Sequence, residues 1–319
     1  MPPQNADDPP TKTEHASEIP SLPAAVGPGR PVSPPPDGLV LVSTPIGNLG
    51  DMTPRAVAAL QAADLVLCED TRTSDRLLAA FDIRSRVEPL HDHNEDGRIP
   101  GLLERLGRGQ RIAVISDAGM PLVSDPGFRL VRAALAAGLS VAALPGANAA
   151  VLALVLSGLP PQPFLFQGFA PARQAARLKQ FTAHRGLERA GLSATMIWYE
   201  APHRLAETLA DMATAWGDRP AAVARELTKR FEEVRRASLP ELAAHYAAHE
   251  ARGEITIVVG PAEPEVTDAA DLDALLVQAL GVTSLKEAVA EVTVATGLPR
   301  KQVYARALTL SARGSDGNG

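Results

Sequence analysis

The residues of this chain that could do chemistry sit in loops following apolar runs. The most informative loop is Ser116-Asp117-Ala118-Gly119-Met120-Pro121-Leu122-Val123-Ser124-Asp125-Pro126-Gly127. Its two glycines allow close backbone approach, and Pro121 and Pro126 stiffen it. Asp117 and Asp125 bracket it with negative charge. A rigid acidic loop suits a sulfonium cation, an amino group or ribose hydroxyls far better than phosphate. A second loop, Glu69-Asp70-Thr71-Arg72-Thr73, sets two carboxylates beside a guanidinium. That grouping is costly unless one carboxylate is used or paired, although a turn capped by Asp70 or Thr71 would also explain it. Two weaker loops, Ser43–Asp51 and Leu144–Asn148, complete the set. Neither a Gly-x-Gly-x-x-Gly fingerprint nor a Gly-Lys-Ser/Thr phosphate loop occurs in them. His91-Asp92-His93 has no further ligand placed by sequence, so no metal is expected.

The elements that must position these loops alternate in type. Leu39–Ser43, Asp64–Cys68, Val87–Leu90, Arg111–Ser116 and Ser140–Leu144 read as strands, mostly as continuous apolar runs. Helices are expected from Thr53-Pro54 to about Ala62 and over 74–81, 99–107, 126–137 and 148–157. After the stiff linker Gly158–Pro163, strands are expected over 164–169, 195–199, 221–226 and 254–259, with helices near 172–185, 203–215 and 239–251. The fold class is therefore α/β, the first domain with a mainly parallel sheet covered on both faces. Four units follow: a Pro-rich disordered tail (1–37), an α/β domain (38–160), a second α/β domain (161–262) and a small helical extension (263–319). The extension holds three short helical patterns over 272–279, 285–296 and 300–311, resembling a helix-turn-helix.

Composition narrows the class further. Of 319 residues, 45% are apolar and 21% charged, so a large core is available. The net charge of −6 arises at the ends, −3 within 1–37 and −3 within 263–319, and leaves 38–262 neutral. Charge thus neither supports nor excludes a nucleic-acid partner. The lone Cys68 forbids an internal disulfide and reads as a small core residue. No signal peptide or membrane-length apolar run is visible, so a soluble, cytoplasmic protein is expected.

Taken together, Thr44-Pro45-Ile46-Gly47-Asn48-Leu49, Glu69-Asp70-Thr71-Arg72, His91-Asp92-His93-Asn94 and the Ser116–Gly127 loop resemble the bacterial 16S rRNA 2′-O-ribose methyltransferases that act on a decoding-centre cytidine. Those enzymes belong to the tetrapyrrole-methylase superfamily. Tyr199-Glu200-x-x-His203-Arg204 and Ala224-Arg225-Glu226-Leu227-Thr228-Lys229 extend the resemblance over roughly residues 39–260. The resemblance implies a two-domain tetrapyrrole-methylase fold, a homodimer, and S-adenosylmethionine held in the cleft between the domains. Its expected contacts are Pro45, Gly47, Asp117, Ala118, Gly119, Pro121, Ser124, Asp125, Pro145, Gly146, Tyr199 and Glu226. Thr44-Pro45-Ile46 replaces the glycine run of the wider superfamily. Ala147-Asn148 stands where a proline often follows Pro145-Gly146, and Ala201-Pro202 replaces small polar residues ahead of His203.

The implied acceptor is 16S rRNA or the small ribosomal subunit. Transfer to a ribose hydroxyl needs alignment, removal of a proton and exclusion of water, but no metal. Candidate proton acceptors are Asp70, Glu69, His93 and Glu200. Arg72, Arg204, Arg225 and Lys229 are candidate phosphate contacts, and His203 and Tyr199 could stack on or hydrogen-bond a nucleotide. A porphyrinoid methyltransferase of the same fold is the alternative function. A non-catalytic RNA-binding protein is a third.

Overall fold

The computed structural model describes residues 35–262, 269–296 and 298–315. Most of the expected tail, residues 1–34, lies outside that range, as do 263–268 at the start of the extension.

Five strands make a wholly parallel sheet in the order β3-β2-β4-β1-β5: Leu39–Val42 (β1), Leu65–Cys68 (β2), Val87–Pro89 (β3), Ile112–Ile115 (β4) and Val141–Leu144 (β5). Every residue of β2 and β4 is buried. Continuous apolar runs meet that requirement, because central parallel strands are covered on both sides. Alternate side chains serve opposite faces. Val40, Val66 and Ala113 pack with Leu60 of α1 (Pro54–Gln61) and Leu78 of α2 (Thr71–Ala80). Leu39, Leu65, Leu67 and Ile112 pack with Leu102 of α3 (Glu95–Gly107) and Leu130 of α4 (Phe128–Ala136).

Strand order positions the site. The chain leaves β1 for β2 on the far side of β4, and later reaches β5 on the other side of β1. Loops at the carboxyl ends of β1 and β4 therefore meet over a crevice, the usual ligand position in open α/β sheets. They are tied together: Thr44 and Gly119 exchange backbone hydrogen bonds of 2.9 and 3.1 Å, and the Thr44 hydroxyl donates to the Ser116 carbonyl at 3.1 Å.

Helix α5 (Ala149–Ser157) is apolar all round and lies between the sheets. Its Ala150, Ala153 and Leu154 pack with Ile46 of the first loop and with Ile197, Ala222, Ala224 and Val258 of the second sheet. Asn148 caps it, accepting a hydrogen bond from the Val151 amide at 3.0 Å. Asn148→Ala should cost about 1 kcal/mol and lower the melting temperature by about 2–4 °C. A scanning-calorimetry midpoint equal to wild type would show that the cap contributes nothing.

The second sheet runs β6-β7-β10-β8-β9, from Phe164–Phe169 (β6), Thr195–Glu200 (β7), Pro220–Arg225 (β8), Glu233–Ser238 (β9) and Ile255–Val259 (β10). Its pairing is mixed, unlike that of the first sheet. Only β6 and β7 are parallel, whereas β7–β10, β10–β8 and β8–β9 are antiparallel. The turn over 226–232 is too short for the crossover that parallel neighbours require. Strand β9 itself has no counterpart among the expected strands. Its sequence Glu-Val-Arg-Arg-Ala-Ser carries charge at an edge position, where charge discourages further pairing. Helices α6 (Gln174–Arg189), α7 (Leu205–Trp216) and α8 (Leu239–Ala248) cover one face around Trp198, Phe181 and Trp216. A buried ion pair, Arg177 to Asp211 at 2.6 Å, clamps α6 to α7.

Helices α9 (Ala269–Leu280), α10 (Leu285–Thr296) and α11 (Arg300–Ser315) share a small core of their own, formed by Leu276, Ala288, Val289, Val303 and Ala307. Asp273 and Arg306 pair across it at 2.5 Å. None of the described helices is long and apolar enough to cross a membrane.

Candidate active site between the two sheets

A cavity of about 340 Å³ opens where the β4 loop faces the second sheet. The first sheet contributes Ile46, Asp117, Ala118, Gly119, Ser124 and Asp125. The opposite wall comes from the ends of β6 and β7 (Phe169, Tyr199, Glu200), from Ala224 in β8 and Leu227 after it, and from Gly253–Thr256 at the start of β10.

The β4 loop holds its shape through unusual backbone. Leu122 and Ser124 take φ of +72° and +70°, in the left-handed region that side chains normally avoid, and so they present Asp125 inward. Gly119 has φ of +85°, and a Cβ there would sit 3.1 Å from Ile46 Cγ2. A glycine is therefore needed to bring the two loops together.

Three carboxylates gather at this edge. The Asp70 amide reaches Asp117 Oδ1 at 3.4 Å. Burial, then the Asp117 and Asp92 charges, raise the proton affinity of Glu69, and the nearby His91 opposes them. Asp117 is raised by burial and by the charge of Asp70. Asp125 is pushed up to about 6, by burial first and the Glu69 charge second, against the pull of the Ser116 hydroxyl. The wall opposite adds Glu254 and the half-buried Tyr199, whose phenol is raised by burial.

The expected site residues fall into two groups. Asp117, Ala118, Gly119, Ser124, Asp125, Tyr199 and Glu200 line the cavity, while Pro45, Gly47, Pro121, Pro145, Gly146 and Glu226 do not. Gly146 packs its backbone on Ser43. Gly47 makes room for the stem of Lys229, whose amine bridges Glu226 at 2.8 Å and Glu254 at 3.2 Å. Burial works to lower the proton affinity of Lys229, but hydrogen bonding to Glu226 and the Glu254 charge outweigh it.

Of the proton-acceptor candidates, Asp70 caps α2 by accepting from the Arg72 amide at 2.8 Å. His93 is exposed on the turn before α3. The Glu200 side chain is fully buried and its oxygens are engaged: the Ala201 amide at 2.8 Å, the Thr208 hydroxyl at 2.6 Å and the Arg204 guanidinium at 3.2 Å. Among the cationic candidates, Arg72 and His203 are exposed. Arg225 pairs with Glu233 at 3.0 Å, and Arg204 also donates to the Ala170 carbonyl at 2.5 Å. No group of three or more His, Cys, Asp or Glu among the described residues is placed to hold a metal ion.

Sequence reasoning missed Ile46, Asn148, Phe169, Ala224, Leu227 and Gly253–Thr256 as wall residues. The first five are apolar or capping positions without a chemical signal of their own. Glu254 belonged to an expected strand and was readable only as its start.

Comparison with known proteins agrees with this architecture. Residues 38–243 match the family Tetrapyrrole (Corrin/Porphyrin) Methylases, and residues 266–311 match the RsmI C-terminal HTH domain. A ribosomal RNA small subunit methyltransferase I from Mesorhizobium japonicum is 45% identical over 294 residues, covering 92% of this chain and 97% of that protein. The protein of the same name from Xylella fastidiosa is 45% identical over 276 residues, covering 84% and 98%. A crystal structure of diphthine synthase superposes with a TM-score of 0.54 at 16% identity, over 70% of this chain and 89% of that one, and shares the fold. With more than half its length in the family match and relatives this similar along nearly their whole length, the chain belongs to the tetrapyrrole methylase family, in the group of ribosomal RNA small subunit methyltransferase I.

Proposed function

We propose that this chain transfers the methyl group of S-adenosylmethionine to the 2′-hydroxyl of a decoding-centre cytidine in 16S rRNA. It acts in the cytoplasm, as a homodimer, on the RNA or the assembled small subunit. One observation carries the donor assignment: a single cavity combines carboxylates on one side with an apolar wall on the other. Asp117, Asp125 and Glu254 suit a sulfonium, an ammonium and ribose hydroxyls, and they repel free phosphate. Ile46, Ala224, Leu227 and Tyr199 suit a purine ring. The residues present therefore fit the group. When bound, S-adenosylmethionine supplies an electrophilic methyl carbon.

The protein's own contribution is to align the acceptor, exclude water and take up the hydroxyl proton. Glu69 is the proposed proton acceptor: it is not among the residues lining the cavity, but its affinity for a proton is raised and its charge is felt at Asp125. Asp70 and Glu200 already serve as cap and strut. Arg72 and His203 are the proposed first contacts to RNA. Arg204, Arg225 and Lys229 would act from within their ion pairs. Val151 and Val155, exposed one turn apart on α5, support pairing of two copies. The names of the relatives favour an RNA acceptor over a porphyrinoid.

The test is methylation of undermethylated small subunits and of free 16S rRNA with labelled S-adenosylmethionine, followed by mapping of the modified ribose. Label is expected at one cytidine 2′-oxygen. Arg72→Ala should weaken acceptor binding several-fold and leave donor binding unchanged. Tight donor binding with no label in either RNA would end the reading.

A further inference from the structure

Phe169 ends β6 and is held from both sides, yet it is 56% exposed. The pairing of β6 with β7 slips between Phe166 and Phe169, and Gly168 within the slip has φ of +68°. A Cβ on Gly168 would lie 3.5 Å from Ser124 Oγ, so this bulge rests directly on the acidic loop of the first sheet. The Phe169 ring meets Tyr199 edge-on, with centroids 5.7 Å apart, and Tyr199 is braced in turn by Phe166 at 4.9 Å. The next residue, Ala170, is buried, and its carbonyl accepts from Arg204.

Single exposed apolar side chains are ordinary on protein surfaces. Phe169 differs from the others here, being the one large exposed apolar residue that lines the cavity among the described residues. At about 340 Å³ the cavity is near the lower end of small-molecule sites, ~300–1,000 Å³. On the reading above it takes one methyl donor, and an acceptor nucleotide has to meet that donor at the rim. The carboxylates inside keep the phosphate backbone out, so a nucleotide must approach with base and ribose foremost. A base drawn out of its strand loses its stacking neighbours, and proteins that bind unstacked bases replace them with aromatic faces.

We propose that Phe169 is the stacking platform for the base of the acceptor nucleotide, holding that nucleotide with its ribose turned to the cavity. The proposal rests on the RNA reading above and adds to it a residue that positions the acceptor. Stacking tolerates any base, so Phe169 would fix position and leave base choice to other contacts.

The experiment measures single-turnover methylation of undermethylated small subunits alongside direct S-adenosylmethionine binding, for wild type, Phe169→Ala and Phe169→Trp. Phe169→Ala should lower kcat/KM for the subunit by about tenfold or more, with donor Kd within twofold of wild type. Phe169→Trp should restore most of the loss. A synthetic RNA lacking the acceptor base should be a poor substrate for wild type and no poorer for Phe169→Ala, because both remove the same contact. Two results overturn the proposal: unchanged kcat/KM in Phe169→Ala, or a loss that appears equally in donor Kd, which would place the donor's purine on this ring. Wild-type protein that binds donor but labels no RNA overturns the RNA reading and this proposal together.

Discussion

Asp125→Asn should make the ligand-free protein more stable and its donor binding weaker. The carboxyl is held at about 6, above the usual range, by burial and by the Glu69 charge. A raised carboxyl pKa means that the folded state binds the proton more tightly than the unfolded chain does. The Asp125 contribution to stability is therefore greatest below pH ~4, falls as pH rises to ~6, and stays at its lower value beyond that. At neutral pH the folded protein carries the whole penalty of an ionised Asp125. The shift corresponds to ~3 kcal/mol, which solvent screening in an open cavity reduces to about 1–2 kcal/mol. Asparagine keeps the shape and removes the charge, so the melting temperature should rise by about 2–6 °C. Donor binding should weaken by about 10- to 100-fold, the worth of one charge-assisted contact at ~1.5–3 kcal/mol. Titration calorimetry from pH 5 to 8 separates the effects: wild-type affinity should climb through about 6 and level off, and the variant should show no such step. A variant with unchanged melting temperature and unchanged affinity would remove Asp125 from the donor site. Loss of function with gain of stability is common where a site is built from strained, charged groups.

The sequence exposed this loop because glycine, proline and aspartate each report a backbone or charge requirement at a known position. The first sheet was equally plain, since β2 and β4 are unbroken apolar runs that only a doubly covered parallel sheet needs. The second sheet was harder to read. Strand β9 lies at the sheet edge beside β8 and carries Glu233, Arg235 and Arg236, so its residue types suggested loop or surface. Direction of pairing was hidden for the same reason: without β9, the short turn over 226–232 could not be seen as a hairpin. Wall residues such as Leu227 and Ala224 have no signature because an apolar side chain looks alike in a core and in a cavity wall. Phe169 became visible only when its exposure and its place beside Ser124 were known together. Ionic partners were likewise beyond reach. Arg225 and Lys229 read as candidate phosphate contacts in the sequence, and the fold gives them Glu233, Glu226 and Glu254 as partners.

Glu200 is proposed as a strut rather than a proton acceptor, and its variants should show it. Glu200→Ala leaves the Arg204 guanidinium and the Thr208 hydroxyl without the carboxylate that now joins them at 3.2 and 2.6 Å. Removing one partner of a buried pair typically costs ~3–5 kcal/mol, read as a lower urea midpoint with little change in slope. Arg204 would also lose the anchor that aims it at the Ala170 carbonyl, next to Phe169. The gentler Glu200→Gln retains the shape and one acceptor for the Ala201 amide, and should stay folded at assay temperature. If Glu200 is a strut, Glu200→Gln loses less than about tenfold in kcat, and its pH–rate profile keeps the wild-type midpoint. Glu69→Gln should instead lose ~100-fold or more, the usual contribution of a general base, at nearly wild-type stability, because Glu69 is exposed. A hundredfold loss in fully folded Glu200→Gln with a small effect of Glu69→Gln would reverse the two assignments. The difference lies in occupancy: three of the roughly four acceptor positions of the Glu200 carboxylate are taken by an amide, a hydroxyl and a guanidinium, and a strut role predicts that its loss is read in stability first.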